Sequence, residues 1–447
     1  MNLPAAQVEQ ETLVVGLGTT GLSVIRHLLA CGQRLAVTDT RENPPGLAEL
    51  DQIEGAGGVW VGPLSTLDAT RWRTIVVSPG VPVSLPELQA ARAAGCELVG
   101  DVQLFVHAAR QPLVAITGSN GKSTVTALAG ELLRALGLRV AVGGNLGPPA
   151  LELLGDGPEV YVLELSSFQL ETTRDLGAAS AAILNISADH LDRYPDMEAY
   201  LTAKMRILQG ARHTVLNRDD DRLRPLCRSS TGPSFGLNPP PGPHDFGVVE
   251  VAGEPWLARG DDALLPVADL ALHGRHNWLN ALAALALVWP WVEDPRPLFP
   301  VLRSFTGLAH RSQRVRSHHG VDFIDDSKGT NVGATLAAIR GVTGPLVLIA
   351  GGQGKGQDFA PLADALVGKA RGVILLGADA PQIAQALNGA VPLRLVTSME
   401  EAVSVAAEWA QPGDTVLLSP ACASLDMFSS FAERGERFAR AVRELDT

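Results

Sequence analysis

The sequence predicts an α/β protein built on several parallel sheets, and three glycine turns carry that expectation. Each follows a short β-branched run: Thr12–Val15 leads into Gly16-Leu17-Gly18, Leu113–Thr117 into Gly118-Ser119-Asn120-Gly121-Lys122, and Leu346–Ala350 into Gly351-Gly352-Gln353-Gly354-Lys355. Strand, glycine turn and helix open a βα unit, and parallel sheets bind ligands at that end of the strand. Further buried-strand candidates at 35–37, 74–77, 160–163, 181–184, 373–376 and 415–418 are each separated by enough chain for a crossover helix.

The 447 residues exceed one ordinary core and suggest two or three domains, and the 46% hydrophobic content is ample for globular folding. A boundary is expected near Gly100, ahead of the second glycine turn, and another near Gly307, before His310-Arg311. The Pro/Gly-rich stretch 233–243 reads as a loop or the edge of an irregular insert. A net charge of -12 argues against a general nucleic-acid binder, which needs a basic surface, but leaves room for local basic pockets. The four scattered cysteines suggest neither a disulfide framework nor a zinc site. Residues 1–10 hold no basic residue and no apolar core of a secretory signal. The most apolar stretch, 279–292, contains Pro290 and falls short of the ~20 residues that span a bilayer, so it reads as a buried helix. A soluble cytoplasmic protein is expected.

The strongest local signal is Thr117-Gly118-Ser119-Asn120-Gly121-Lys122-Ser123-Thr124. Its glycines let backbone N–H groups curl around phosphates at a helix start, Lys122 can reach the β/γ oxygens, and the Ser123 hydroxyl can ligate Mg²⁺. The full phosphate-loop pattern wants a glycine where Ile116 stands, so this is a variant loop. Gly16-Leu17-Gly18-Thr19-Thr20-Gly21 matches the dinucleotide fingerprint, with Asp39 placed for a ribose contact. That leaves three readings open: NAD, another diphosphate, or a purely structural turn.

Glu164, after the run 160–163, is placed like a metal-binding acid beside a phosphate loop, or like a capping acid for the next helix. In Asn185-Ile186-Ser187-Ala188-Asp189-His190-Leu191-Asp192, again at a strand exit, His190 is a candidate metal or substrate ligand. Lys204, in a helical segment, reads locally as a solvated surface lysine. His310-Arg311, Asp326-Ser327-Lys328-Gly329-Thr330-Asn331 and Lys355 combine cations with small hydroxyls, suited to phosphate and carboxylate. Singly, each could be an exposed loop charge.

Taken in order, the 117–124 loop, Glu164-Leu165-Ser166-Ser167, Asp189-His190, His276-Asn277…Asn280-Ala281, His310-Arg311 and Asp326-Ser327-Lys328 resemble the Mur ligases of bacterial cell-wall synthesis over nearly the whole chain. The front (Gly16 to Gly21, Asp39-Thr40-Arg41) and the back (Ser419-Pro420-Ala421-Cys422-Ala423-Ser424) are similar to the D-glutamate-adding branch, and the Asp-Asn-Pro-Arg motif of the diaminopimelate- or lysine-adding branch is missing.

The resemblance implies three domains: an N-terminal Rossmann-like domain (1–100) for the UDP end, a central P-loop ATPase-type domain (101–307), and a C-terminal Rossmann-like domain (308–447) for the amino acid. It implies ATP, two Mg²⁺ ions, UDP-N-acetylmuramoyl-L-alanine and D-glutamate as ligands, with no nucleic acid or membrane partner, and a monomer. Gly18, Thr19, Thr20, Asp39, Thr40, Arg41 and Gly80 would hold the UDP end, with Asn145 and His190 along the muramoyl-alanine arm. The 118–124 loop, Asn277, Asn280, Arg311 and Asp326 would bind ATP. Ser123, Glu164, His190 and a carbamylated Lys204 would bind metal, and Lys328, Thr330, Lys355, Ser424 and Phe431 would surround D-glutamate. Lys122, His190, Lys204 and Lys328 would be catalytic. The implied reaction activates a carboxylate as an acyl phosphate for attack by the amine. A folylpolyglutamate-synthase-like ligase, another Mur ligase, an NAD-dependent oxidoreductase and a nucleotide switch are the competing readings.

Overall fold

The computed structural model describes residues 12–445 apart from Asp192 and His273; the reading of residues 1–10 and Asp192 of the 185–192 motif lie outside them. Three sheets follow one another along the chain. The first holds β1 (Thr12–Val15), β2 (Leu35–Asp39), β3 (Trp60–Pro63), β4 (Thr74–Val77) and β5 (Glu97–Val99). All pair in parallel, in the order β3-β2-β1-β4-β5. Every residue of β1 and β2 is buried, as continuous apolar runs require when both faces of a parallel sheet are covered.

The second sheet comprises β6 (Leu113–Thr117), β7 (Val140–Gly144), β8 (Val160–Glu164), β9 (Ser180–Ile183), β10 (Thr214–Asn217), β11 (Ser234–Phe235), β12 (Phe246–Val251), β13 (Glu254–Arg259) and β14 (Asp262–Pro266). Its order is β14-β13-β12-β11-β10-β9-β6-β8-β7. Strands β6 to β12 are parallel, whereas β12, β13 and β14 form an antiparallel edge. The β12–β13 turn is the two residues Ala252 and Gly253, both at positive φ, the geometry that matches strand twist in a tight hairpin.

The third sheet holds β15 (Gln313–His318), β16 (Val321–Asp325), β17 (Leu346–Ala350), β18 (Ala370–Leu375), β19 (Leu393–Leu395) and β20 (Thr415–Leu418), ordered β15-β16-β20-β17-β18-β19. Only β15 is antiparallel. Gly100 falls between β5 and the helix Asp101–Ala108, and Gly307 between the helix Leu298–Ser304 and β15.

Two glycine turns open directly into helices, Thr19–Ala30 and Lys122–Ala135. The third does not. After β17 the chain runs through residues 351–359 before the helix Ala360–Leu366 begins. A bridge between Gln353 and Ala423 holds this loop against the segment after β20.

The apolar stretch 279–292 lies mostly in the helix Arg275–Val288; Trp289 keeps right-handed helical angles, and Trp289–Trp291 follows as a 3-10 turn around Pro290, which has no N–H to continue the α-helical ladder. That helix is buried from Asn280 through Val288 in one apolar cluster with the helix Lys122–Ala135. No helix among the described residues is long and apolar enough to cross a membrane. One apolar cluster runs without a break from Val14 and Leu28 of the first lobe to Tyr161 and Leu216 of the second. The third lobe's clusters draw only on residues from Val321 onward.

Candidate active site

The carboxyl ends of β6, β8 and β9 converge with loops of the third lobe on a cavity of about 530 Å³. The loop after β6 is shaped by its glycines. Gly121 has φ 82° and caps the helix Lys122–Ala135; a Cβ there would sit 2.5 Å from the Asn280 Oδ1. Lys122 folds back so that its Nζ donates to the carbonyls of Gly118 (2.8 Å) and Ser119 (2.9 Å). The Ser123 hydroxyl donates to the carboxylate of Glu164 at the end of β8, and Arg311 from the third lobe donates to the same hydroxyl. Asn145 donates to the other Glu164 oxygen at 2.6 Å.

Lys204 overturns its local reading as a surface lysine: it is 1% exposed. Its Nζ donates to the Gly118 carbonyl (2.9 Å) and the Thr117 hydroxyl (3.4 Å) and lies 4.6 Å from the Tyr200 ring centroid. Residues 200 and 204 share a face of the helix Met197–Met205, one turn apart, and that face is turned to the phosphate loop. Burial pushes the Lys204 amine well below its ordinary range, and the charge of Lys122 adds to the fall. Burial also lowers Lys122, against the attraction of Glu164 and Asp189. Two amines therefore sit at one carbonyl, and burial lowers the basicity of both.

His190 takes a left-handed backbone (φ 56°), its ring 4.7 Å from that of Phe168. Burial lowers its pKa, against Asp189, whose Oδ2 lies 3.6 Å from Nε2. Asp189 also faces Lys355 of the third lobe at 3.8 Å.

Asp326 accepts from the Ser312 N–H (3.1 Å) and the Ser419 hydroxyl (2.7 Å), and burial raises it to about 7. Lys328 lies 4.0 Å from the Phe431 ring; burial, then Arg311, lowers it to about 8.

The cavity brings together residues 119–124, Asn145, Glu164, His190, Lys204, Asn277, Asn280, Arg311, Asp326, Lys328, Thr330 and Lys355. Gly118 contributes its carbonyl from just behind. Ser424 (4% exposed) and Phe431 do not line it, although Phe431 borders it through Lys328.

The first-lobe residues Gly18, Thr19, Thr20, Asp39, Thr40, Arg41 and Gly80 stand apart from it, around the ends of β1, β2 and β4. There Asp39 accepts from the Leu17 N–H (2.7 Å) and from Arg41 through both oxygens (2.8 and 2.9 Å), which hold its carboxyl below the usual range against the cost of burial. Both oxygens are thus engaged within the chain, while Thr40 and Arg41 are exposed.

Three residues had no assigned role in the sequence: Asp189, Tyr200 and Asn331. Tyr200 carries a usable signal, its four-residue spacing from Lys204. Asp189 and Asn331 are defined by contacts between lobes, to which local pattern is blind.

Ser123 and Glu164 offer hard oxygens suited to Mg²⁺, which is held by one or two carboxylates together with substrate phosphates. No group of three His, Cys, Asp or Glu that could hold an ion occurs among the described residues.

Three family descriptions match the chain: Mur ligase MurD-like N-terminal domain at 10–100, Mur ligase middle domain at 116–288, and Mur ligase glutamate ligase domain at 310–422. The UDP-N-acetylmuramoylalanine–D-glutamate ligase of Hahella chejuensis is 50% identical over 98% of this chain and 99% of its own. That of Pseudomonas aeruginosa is 53% identical over 97% and 98%. Among solved structures, the UDP-N-acetylmuramate–alanine ligase MurC of Thermotoga maritima aligns over 98% of this chain and 100% of its own, with a TM-score of 0.61 at 19% identity. The MurF ligase of the same organism, in complex with ADP, aligns over 99% and 98% with 0.58 at 16%. At these identities the structures speak for the fold and the sequences for the branch. The chain belongs to the Mur ligase family, on the branch of the UDP-N-acetylmuramoylalanine–D-glutamate ligases.

Proposed function

We propose that the chain joins D-glutamate to UDP-N-acetylmuramoyl-L-alanine at the expense of ATP, in the synthesis of peptidoglycan precursors. The observation that carries this is the near-full-length identity of about one half to ligases of that name, on a chain whose phosphate loop shares one cavity with cations of the third lobe. The domains run 1–100, 101–307 and 308–447, and the enzyme works as a cytoplasmic monomer.

The alanyl carboxylate attacks the γ-phosphate, giving an acyl phosphate and ADP. Two anions must meet, so Lys122 swings from its own loop carbonyls onto the transferring group and offsets its charge. Two bound Mg²⁺ ions would supply further charge neutralisation, held by Ser123, Glu164, His190 and Lys204. For Lys204 the donor would be a carbamate: the neutral amine adds to the carbon of CO₂ and loses a proton, turning a buried base into an anionic ligand. The depressed basicity of this amine supports that assignment, since only the unprotonated form reacts. The D-glutamate amine then attacks the acyl carbon, the C–O bond to phosphate breaks, and the amide is released with inorganic phosphate and a proton.

Asn277, Asn280, Arg311 and Asp326, with residues 118–124, bind ATP. Lys328, Thr330, Lys355, Ser424 and Phe431 receive D-glutamate, and Gly18, Thr19, Thr20, Asp39, Thr40, Arg41 and Gly80 receive the UDP end, with Asn145 and His190 along the arm. The test is phosphate release from ATP, Mg²⁺ and UDP-N-acetylmuramoyl-L-alanine, varying only the amino acid. D-Glutamate is expected to drive it, and equal or greater turnover with L-alanine, diaminopimelate or L-glutamate would refute the assignment.

A further inference from the structure

Asn331 stands at a junction that none of the roles above explains. It is 3% exposed and caps the ten-residue helix Val332–Gly341, its Oδ1 accepting from the Ala334 N–H at 2.8 Å. The same amide reaches across the lobes. Its Nδ2 donates to the Asn120 Oδ1 (3.2 Å) and to the Asp189 Oδ2 (3.2 Å), while the Asn120 Nδ2 donates back to the Asn331 Oδ1 (3.4 Å). This is a reciprocal amide pair between the phosphate loop and the start of a third-lobe helix. Asn120 is fixed in turn by Asn185 (2.8 Å to its N–H) and Ser187 (3.2 Å). On the other side, Asn331 follows directly on Thr330 and stands three residues after Lys328, whose N–H is bonded to the His310 carbonyl at 3.1 Å.

We infer that Asn331 is a positioning residue that registers the amine-presenting segment 328–330 against the phosphate loop, so that the acyl phosphate is aminolysed rather than hydrolysed. The inference rests on the functional reading above. The acyl carbon can take either of two nucleophiles. When the amine attacks, a C–N bond forms and phosphate leaves; when water attacks, the carboxylate is regenerated and ATP is wasted. A capping residue whose polar atoms are all used, three of its bonds spanning the lobes, sets the distance between the two halves of that choice. An asparagine suits both tasks, because its oxygen caps the helix while its NH₂ remains free to donate.

Asn331→Ser and Asn331→Thr both retain an oxygen able to cap the helix, yet neither offers the amide donor. In the full chain, amide formed and phosphate released are measured together. Wild type is expected to give a ratio close to unity. Both variants are expected to keep the wild-type melting midpoint and the KM for ATP, to raise the KM for D-glutamate roughly three- to tenfold, the size of one or two lost hydrogen bonds, and to release phosphate in excess of amide. Variants with wild-type coupling and wild-type KM overturn the inference alone. A loss of activity that tracks a fall in melting midpoint in both variants marks a structural cap and overturns it as well. Wild type that releases no phosphate on addition of D-glutamate overturns the functional reading, and this inference with it.

Discussion

At the scale of single residues the proposed chemistry gathers on amines. Lys122→Ala is expected to lower turnover at least about a hundredfold, the cost of removing one fixed charge from a phosphoryl-transfer site; phosphate-release rates decide it. Lys204→Ala is expected to be inactive and partly restored by added short carboxylates, which can occupy the place of a carbamate; full activity without additive would remove Lys204 from the mechanism. Lys328, held near 8 by burial, gives a pH signature. Its ammonium is present below that value and lost above it, so the KM for D-glutamate is expected to be flat toward neutral pH and to climb at alkaline pH, approaching about tenfold per pH unit. Lys328→Arg is expected to abolish that limb, because a guanidinium stays charged. The sequence marked the phosphate loop directly, at its glycine turn, and Glu164 at a strand end with a capping acid as the alternative, whereas Arg311 read locally as a loop charge and was singled out by the resemblance. It could not show the burial of Lys204 from its neighbours, because the helix around that lysine mixes polar and apolar residues and its buried face is set by a loop 80-odd residues earlier.

At the scale of elements, the parallel core strands were legible because both of their faces are covered and they read as unbroken apolar runs. The antiparallel edge β12–β13–β14 was not: its residues are half-exposed and lack such a run, although Ala252-Gly253 marks the hairpin. The third glycine turn was mistaken for a direct strand-to-helix turn, because Gly351 and Gly352 look like helix-opening glycines and the bridge from Gln353 to Ala423 is a long-range pairing.

One helix start yields a prediction of its own. Asp101 opens the helix Asp101–Ala108 between the first two sheets, is 1% exposed, and has one oxygen without a partner and the other 3.4 Å from the Gln169 amide. Burial raises its pKa from 3.8 to about 6. Since the folded pKa lies above the unfolded one, the protonated acid stabilises the fold at low pH, and that contribution is lost as pH rises from about 4 through about 6. Asp101→Asn is therefore expected to stabilise the protein at pH 8 by up to about 3 kcal/mol, an upper bound from the 3.8-to-6 span. The gain should vanish near pH 4; denaturant unfolding at the two pH values measures it.

At the scale of the whole molecule, the lobes are joined in two different ways. The first two share a continuous apolar cluster, whereas Arg311–Ser123, Asn331–Asn120 and Lys355–Asp189 make a polar seam between the second and third. Polar contacts exchange with water at little net cost, so the third lobe is expected to open without substrate and close when ATP and the UDP substrate are bound. Small-angle scattering should report a smaller radius of gyration on their addition, and superimposable profiles would contradict the hinge. Calorimetry should show the first two lobes unfolding together and the third in a separate transition. The same asymmetry bears on how such chains can be recombined. A third lobe spliced in from a relative near Gly307 need only match a handful of polar partners, whereas a crossover near Gly100 must reproduce a jigsaw of interlocking side chains on both sides of the cut. Exchange of the third lobe should therefore be tolerated, while the first lobe is inherited together with the second.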